Sequence, residues 1–356
     1  MNDLLYSEIE NDLRAGVRGL LDDKCPWTDV LAGTEKDDPY DAALWRALVQ
    51  MGVTALPVPE DLGGGGASWR ETAVVMEELG RAVAPVPFLG AAVLGTAALL
   101  AAGDRELLPE AAAGDKVVVL AVPLGTAPDA PLPAVRAEGG ALTGGIAGVA
   151  DGLAADVLLV PAADGLYAVT AADAGRTALT SLDMTRRLCD VALSGAPARR
   201  IADGDAAVRE ALATGAALLA SEQLGLAERC LDTALEYVKN RYQFGRPVGS
   251  YQALKHRAAD LWTAIAQARA VARYAAACTA AGDADAPVAV AVAKSHCSGV
   301  VVKAAEDCVQ MHGGIGFTWE HPAHLFLKRA KGSALSLGTP DRHRAALAGL
   351  VDLPPA

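Results

Sequence analysis

Apolar residues recur at helical spacing near the start of the chain: Leu4, Leu5, Ile9 and Leu13, then Leu20 and Leu21, then Ala43, Leu44, Ala47 and Leu48. A loop carrying Pro57, Pro59 and the glycines Gly63 to Gly66 follows. Ser68 with Glu71 three residues on makes a capping-box pattern, and the helix it opens runs through TAVVMEELGRAVA to Pro85. From about residue 115 to 205 the period changes. Val117 to Leu120 and Val157 to Val160 are short apolar runs separated by Gly, Pro, Asp and Ala-rich turns, which is the texture of short strands. Beyond 205 the pattern is helical again. Asp205 to Tyr242 holds no proline and two glycines, with Val208, Leu212, Leu219, Leu226, Leu235 and Val238 at roughly helical spacing. Such a helix is about 50 Å long at ~1.5 Å per residue. Gly245 and Pro247 end it. Ser250 can cap a second long helix, which Gly282 closes. Asp285 and Pro287 start a third, ending at Gly313 and Gly314, and Thr339 with Pro340 opens a last short one.

The fold class that follows is mainly α with a middle β domain. An N-terminal helical domain (1–112) leads into a small β-barrel-like domain (113–204) and a C-terminal four-helix bundle (205–356).

Composition narrows the function. The 356 residues are 52% hydrophobic and 21% charged, enough apolar material for a sizeable core. Lys and Arg number 31 against 43 Asp and Glu, a net charge of −12, which disfavours a nucleic-acid backbone as partner. The longest bulky apolar stretch, Phe88 to Ala102, is broken by Gly90 and Gly95 and is shorter than the ~20 residues of a membrane helix. Acidic residues stand near the N-terminus where a signal peptide carries lysines, so the cytoplasm is the expected location. The six cysteines form no CxxC and read as reduced core residues. His321 and His324 have an HxxH spacing, but Pro322 lies between them and no third ligand sits at metalloprotease spacing, so no metal site is expected. No GxSxG or phosphate-loop motif is present.

Three stretches carry more specific information: VPEDLGGGGASWRETAVVMEELGRAVAPVPFLG from Val58, RYQFGRPVGSYQALKHRAADLW from Arg241, and QMHGGIGFTWEHPAHLFLKRAK from Gln310. Together they resemble the acyl-CoA dehydrogenase family, whose order of helical region, β region and helical bundle matches essentially the whole chain. The resemblance implies FAD as cofactor and an acyl-CoA thioester as substrate. In that family a Glu carboxylate removes the proton α to the thioester carbonyl while a hydride leaves the β carbon for the flavin. The base must be desolvated and the enolate-like charge stabilised by hydrogen bonds. It also implies cofactor-binding roles for Arg241 (pyrophosphate), Phe244 (packing on the cofactor), Gly245 (the turn), Gln252 and Gln310 (hydrogen bonds), and Gly313 and Gly314, which lack a Cβ and allow close approach. A plain helix stop is the simpler reading of the two glycines. Arg246, Lys255, Lys328, Arg329 and Lys331 are candidate cations for an anionic CoA, or ordinary solvated surface.

The departures from the family pattern matter as much. Leu337 stands where the family commonly places its Glu, before Gly338 and Thr339. A minority of the family carries the base on the long helix, and the corresponding position is near Gly215. Glu222 is two helical turns beyond, about 10 Å away. The family's TEPxxGSD segment is replaced by LAVPLGTAPDA from Leu120. Its LNGxKxWIT becomes LTGGIAGVAD, with Ile146 for the lysine and Gly148 for the tryptophan. In the family, the RxxFG and QxxGG stretches reach across a dimer interface to FAD held mainly by the neighbouring subunit. The resemblance therefore implies no catalytic base in this chain. It points to a second acyl-CoA dehydrogenase-like subunit as partner, in an α2β2 assembly of the kind that acts on bulky, steroid-like CoA thioesters in actinobacteria. Electron transfer flavoprotein is the family's usual acceptor. Two other readings are a self-sufficient homo-oligomeric dehydrogenase using Glu222 or Glu320 as base, and a non-enzymatic assembly protein.

Overall fold

The computed structural model describes residues 4–133 and 135–353. The outermost three residues at each end of the expected outer domains therefore lie outside the described residues. The helices of the first region are α1 (Glu8–Lys24), α2 (Trp27–Thr34), α3 (Ala42–Gln50), α4 (Trp69–Ala82), α5 (Thr96–Ala102) and α6 (Leu107–Ala112). The Ser68–Glu71 capping box opens α4 as its spacing predicts, with the Ser68 backbone N–H donating to Glu71 Oε2 at 2.8 Å. A second capping box, Ser7 with Glu10, opens α1.

The inward face of α1 differs from its expected apolar face. Leu4 and Leu5 precede the helix, and Ile9 is exposed. Leu21 is buried as expected and Leu13 and Leu20 pack partly buried on the core, but Val17 and Glu10 also turn inward. The reason is that α1 docks largely through charge. Arg70 Nε lies 2.9 Å from Glu10, while Arg14 Nε and Arg18 Nη2 lie 2.8 and 2.7 Å from Glu78 on α4.

The Phe88–Ala102 stretch forms one continuous helical segment, buried from Phe88 to Leu99, whose first part, Phe88–Gly95, is π-helical. Its glycines are packing sites. A Cβ on Gly95 would stand 2.0 Å from the Val118 carbonyl oxygen, and the Gly90 N–H donates to Asp151 Oδ2 at 3.0 Å.

The two apolar runs of the middle region are β1 (Val118–Leu120) and, after β2 (Arg136–Glu138) and β3 (Ala141–Ala150), β4 (Val157–Ala162). They lie side by side and parallel, with Val118 opposite Val157. Both are buried on either face, which is why they read as continuous apolar runs rather than as alternation. β5 (Gly165–Thr170), β6 (Gly175–Leu179), β7 (Leu188–Pro197) and β8 (Arg199–Asp203) complete two four-stranded sheets, ordered β1-β4-β5-β8 and β2-β3-β7-β6. The register of β3 on β7 shifts between Ile146 and Val149, and this bulge carries Gly148 at a φ of 66°.

The last region is built from α7 (Ala206–Asn240), α8 (Gln252–Ala281), α9 (Ala286–His312), α10 (Ala323–Leu335) and α11 (Pro340–Leu350), with the short hairpin β9 (Tyr242–Gln243) and β10 (Arg246–Pro247) between α7 and α8. Gly282 ends α8 in the left-handed conformation, and the Thr339 hydroxyl caps α11. Ser250 does not cap α8. It lies in a 3-10 turn, Val248–Ser250, so the chain has already turned once before Tyr251 introduces the helix, and its hydroxyl has no partner among the described residues. The segment from α9 to Phe317 is long and apolar enough to cross a membrane by length and composition, yet most of its apolar window is buried within the protein.

Gly80 and Gly225 set a close contact between α4 and α7. A Cβ on Gly80 would lie 2.1 Å from the Glu222 carbonyl oxygen, and one on Gly225 would lie 1.8 Å from that of Glu77. The backbones of α4 and α7 therefore touch, which only glycine permits at both points.

Candidate functional site

Three segments far apart in the chain meet, with residues 180–188 as a fourth wall, at one cleft of about 370 Å³, bounded by Leu124 and Gly125, by Gly148, and by Leu335 and Ser336 at the end of α10. They are the same three that depart from the family pattern. The Leu124 N–H donates to the Gly148 carbonyl at 3.0 Å, and the Leu337 N–H donates to the Leu124 carbonyl at 2.7 Å. Donors that could face a ligand are thus used within the chain. Ile146, at the position of the family's lysine, is buried core.

Leu337 is fully buried with a φ of 53°, a conformation few non-glycine residues adopt. The loop is pinned on both sides. Leu337 O lies 2.8 Å from His343 Nε2, and Gly338 O accepts from Lys294 Nζ at 3.1 Å. Leu337 Cδ1 stands 3.1 Å from where a Cβ on Gly215 would be, and Leu94 Cδ2 only 2.4 Å. The two positions at which a base was sought therefore face one another in space. Both are apolar, and Leu94 fills the gap.

The fallback carboxylates lie elsewhere. Glu222 is buried and bound by two guanidiniums, Arg186 Nη2 at 2.5 Å and Arg329 Nη1 at 3.5 Å. Arg329 also binds Asp183 and donates to Thr185 Oγ1 at 2.7 Å. Burial works against the Asp183 carboxylate, but Arg329 and Arg186 outweigh it and hold its pKa below the ordinary value. Asp151, buried beside this cluster, is pushed up to about 6 by desolvation, with Arg186 and the Gly90 N–H opposing. Glu320 is exposed before the first turn of α10. That helix has 13 residues, so its far end near Leu337 is about 20 Å away.

The second constellation points outward. Phe244 and Gly245 form the turn of the β9–β10 hairpin with φ of 51° and 75°, and Phe244 is 91% exposed. Two left-handed residues suit a tight hairpin, but phenylalanine is strained there, a cost characteristic of functional segments. Arg241, Gln252, Gln310, Gly313 and Gly314 are all exposed. An Arg257–Asp307 ion pair at 3.5 Å draws the Gln252 end of α8 to the Gln310 end of α9. Gly313 has a φ of 61° and stops α9, so its helix-stop reading holds. Gly314 has nothing within 4 Å of a would-be Cβ, so no contact inside this chain demands a glycine there.

Among the candidate CoA cations, Arg329 is buried in the ionic cluster and cannot meet a ligand at the surface, because Asp183 and Glu222 have drawn it inside. Lys331 pairs with Glu306, Lys328 sits over the Trp319 ring, Arg246 stacks 3.9 Å from the Tyr251 ring centre, and Lys255 is exposed. His321 stacks on His312, whereas His324 packs on Trp319, so the HxxH pair divides between two ring partners.

Lys294 escaped the sequence reading. It is fully buried, and its ammonium donates to Ser298 Oγ and to the carbonyls of Ser333, Ala334 and Gly338. Burial pushes its pKa down to about 7. Its position in the apolar run of α9 gave no signal, since its acceptors come from the end of α10, some 40 residues on.

The N-terminal domain of acyl-CoA dehydrogenases matches residues 7–115, and the C-terminal domain of the same enzymes matches residues 202–350. The chain belongs to the acyl-CoA dehydrogenase family. It is 41% identical over 318 residues to the acyl-CoA dehydrogenase IpdE2 of Mycobacterium tuberculosis, covering 87% of each chain. It is 38% identical over 336 residues to IpdE2 of Mycolicibacterium smegmatis, covering 94% of this chain and 96% of that one. Among solved structures, a chain of the ChsE4–ChsE5 complex from Mycobacterium tuberculosis superposes with a TM-score of 0.90 at 29% identity, covering 99% and 100% of the two chains. A chain of the Tcur3481–Tcur3483 steroid acyl-CoA dehydrogenase superposes at 0.87 with 28% identity, over 97% and 98%. The mainly helical fold with its central β region is that of this FAD-dependent oxidoreductase family.

Proposed function

We propose that this acyl-CoA dehydrogenase family chain is the non-catalytic subunit of a heteromeric enzyme that α,β-dehydrogenates a bulky, steroid-type acyl-CoA. One observation carries the reading: Leu337 and Gly215, the two positions available to a base, meet in a sealed apolar contact. Neither can accept a proton. Glu222 is neutralised by arginines, and Glu320 is remote.

The residues present fit FAD at the outward arm rather than in the chain's own cleft. The arm offers a cation, an exposed aromatic face and open glycine backbone, while the cleft's Leu124 N–H is already bonded to Gly148. Bound FAD supplies the hydride acceptor. Toward a cofactor held mainly by the partner, Arg241 would bind the pyrophosphate, Phe244 would pack on an apolar part, and Gln252 and Gln310 would donate and accept hydrogen bonds. Gly313 and Gly314 let backbone come close. The proton is taken by a carboxylate of the partner. The similarity to chains of the ChsE4–ChsE5 complex and of the Tcur3481–Tcur3483 steroid acyl-CoA dehydrogenase supports this reading; electron transfer flavoprotein, the family's usual acceptor, would take up the electrons.

The test compares turnover of the lone chain with that of the co-expressed complex. Leu337→Met is expected to leave the complex's turnover unchanged, while Arg241→Ala lowers it together with flavin content. A lone chain that oxidises an acyl-CoA overturns the proposal.

A further inference from the structure

The turn that carries Leu337 joins α10 to α11, and a buried amine grips it. Lys294 Nζ on α9 lies 3.2 and 3.3 Å from the Ser333 and Ala334 carbonyls in the last turn of α10, and 3.1 Å from the Gly338 carbonyl beyond Leu337. Its fourth acceptor is Ser298 Oγ at 3.0 Å. Lys294 therefore closes the C-terminal end of α10 from another helix, where carbonyls without a helical partner gather partial negative charge. Leu337 and Gly338 are both left-handed, with φ of 53° and 96°, so the turn keeps this shape only because its surroundings hold it. Two further anchors are the Leu124 carbonyl, which accepts from the Leu337 N–H, and His343, whose Nε2 meets the Leu337 carbonyl.

Among the described residues no carboxylate acts on Lys294. From α7, Gln223 shares the Ser298 hydroxyl and the Ser333 carbonyl with it, and Ser333 is the polar group on α10. On its own helix Cys297 turns to the Ala268 carbonyl of α8, and burial pushes that thiol up to about 12, so it stays uncharged. From α11 comes His343, held below its ordinary value by burial, and beyond it the Arg342–Asp129 ion pair at 2.9 Å. An ammonium at this point is therefore buried without a counter-charge, and four acceptors replace its water only in part. Opening the turn would relieve that cost. Leu335 and Ser336, which lead into the turn, form one wall of the 370 Å³ cleft, so lifting it would join Lys294 to the water of the cleft.

We propose that Lys294 is a proton-operated latch on the Leu337 turn: the uncharged amine keeps the turn closed, and uptake of a proton favours release of Leu337 from the Leu124 carbonyl and opening of the cleft toward α9. Linkage fixes the direction. In the closed turn burial pushes the amine down to about 7, and in an opened turn, in water, it regains the ordinary 10.5. Between these values opening takes up one proton, so the open population falls about ten-fold for each unit of rising pH and is level just below 7. Further into acid, His343 freed from the Leu337 carbonyl also charges and adds to the opening. The latch does not rest on the proposed function, since it needs neither a partner nor a flavin.

Hydrogen exchange of the Leu337 amide in the full-length chain tests it, each rate divided by the intrinsic rate at that pH. Protection is expected to rise about ten-fold per pH unit from pH 7 to 9. Lys294→Met, which keeps the reach of the side chain and removes the amine, should leave protection level over the same range. Level protection in the unsubstituted chain, or a slope that survives Lys294→Met, overturns the inference. Should Lys294→Met fail to fold, acetylation of the unsubstituted chain by dilute acetic anhydride serves instead, with N-α-acetyl-lysine amide as internal standard. The standard should react about ten-fold faster per pH unit from 7 to 9. Lys294, reached only through the opened turn, should react at a rate independent of pH, because the gain in free amine is offset by the loss of open turn. Labelling of Lys294 that climbs in step with the standard, or no labelling of it at all, overturns the inference. Each of these results leaves the proposed function standing, since that is read from turnover and flavin content.

Discussion

At the scale of single residues, Asp151 shows what a buried carboxylate does to stability. Asp151 is buried, left-handed at a φ of 58°, and desolvation pushes its pKa up to about 6 from 3.8 for a free aspartate. Its folded-state pKa lies above the unfolded one, so the native state binds the extra proton. Its contribution is most favourable below about pH 4 and is lost as the pH rises through about 6. Asp151→Asn keeps an acceptor for the Gly90 N–H, tolerates the left-handed backbone and removes the buried charge. It is expected to stabilise the protein at pH 8 by about 1–3 kcal/mol and to change little at pH 4, as read from urea midpoints at the two values. Equal gains at both pH values would show that charge burial is not the cause. On the outward arm, Arg241→Ala should release FAD from the complex with about 10- to 100-fold lower affinity, the magnitude of a lost charge-assisted contact, without moving the melting temperature of the lone chain. Equilibrium dialysis of flavin checks the first effect and calorimetry the second.

At the scale of elements, what could be read along the chain was what is decided locally. Ser68 with Glu71, Gly282 after α8 and Thr339 before α11 are caps whose partners lie within four residues, and each stands where the spacing puts it. The β1 and β4 runs are equally plain, because strands buried on both faces need apolar residues at every position. The features that could not be read have distant partners. The polar inner face of α1 depends on α4, the buried Lys294 depends on the end of α10, and the ionic cluster joins residues 183, 186, 222 and 329. Of the proposed site, the arm motifs and the apolar residues at the two expected base positions were visible as residue types. That Gly215 and Leu337 face each other was not, since it is a matter of packing between α7 and the segment after α10. The α4–α7 crossing gives this scale its own test. Gly80→Ala or Gly225→Ala drives a Cβ into a main-chain carbonyl and should cost at least the upper part of the ~1–3 kcal/mol typical of overpacking. Gly19→Ala on α1, with nothing within 4 Å, should instead stabilise by up to about 1 kcal/mol. Denaturant midpoints of the three variants separate crowding from helix propensity.

At the scale of the whole molecule, the cleft and the outward arm lie about 20 Å apart, at the two ends of α10. One end is an apolar slot sealed beneath by Leu337, Leu94 and the Arg–Glu–Asp cluster. The other is an exposed hairpin and helix end with Phe244, Phe317 and Trp319 turned to solvent. Large aromatics so exposed are the material of an interface core. On the proposed function, a chain so divided contributes to chemistry through a second subunit. The flavin stoichiometry of the purified complex with its partner tests this most directly, by absorbance near 450 nm against protein concentration. One FAD per heterodimer, falling toward zero with Arg241→Ala in this chain, is the predicted result. Two FAD per heterodimer, or one FAD bound by this chain alone and bleached by an acyl-CoA, would contradict the account.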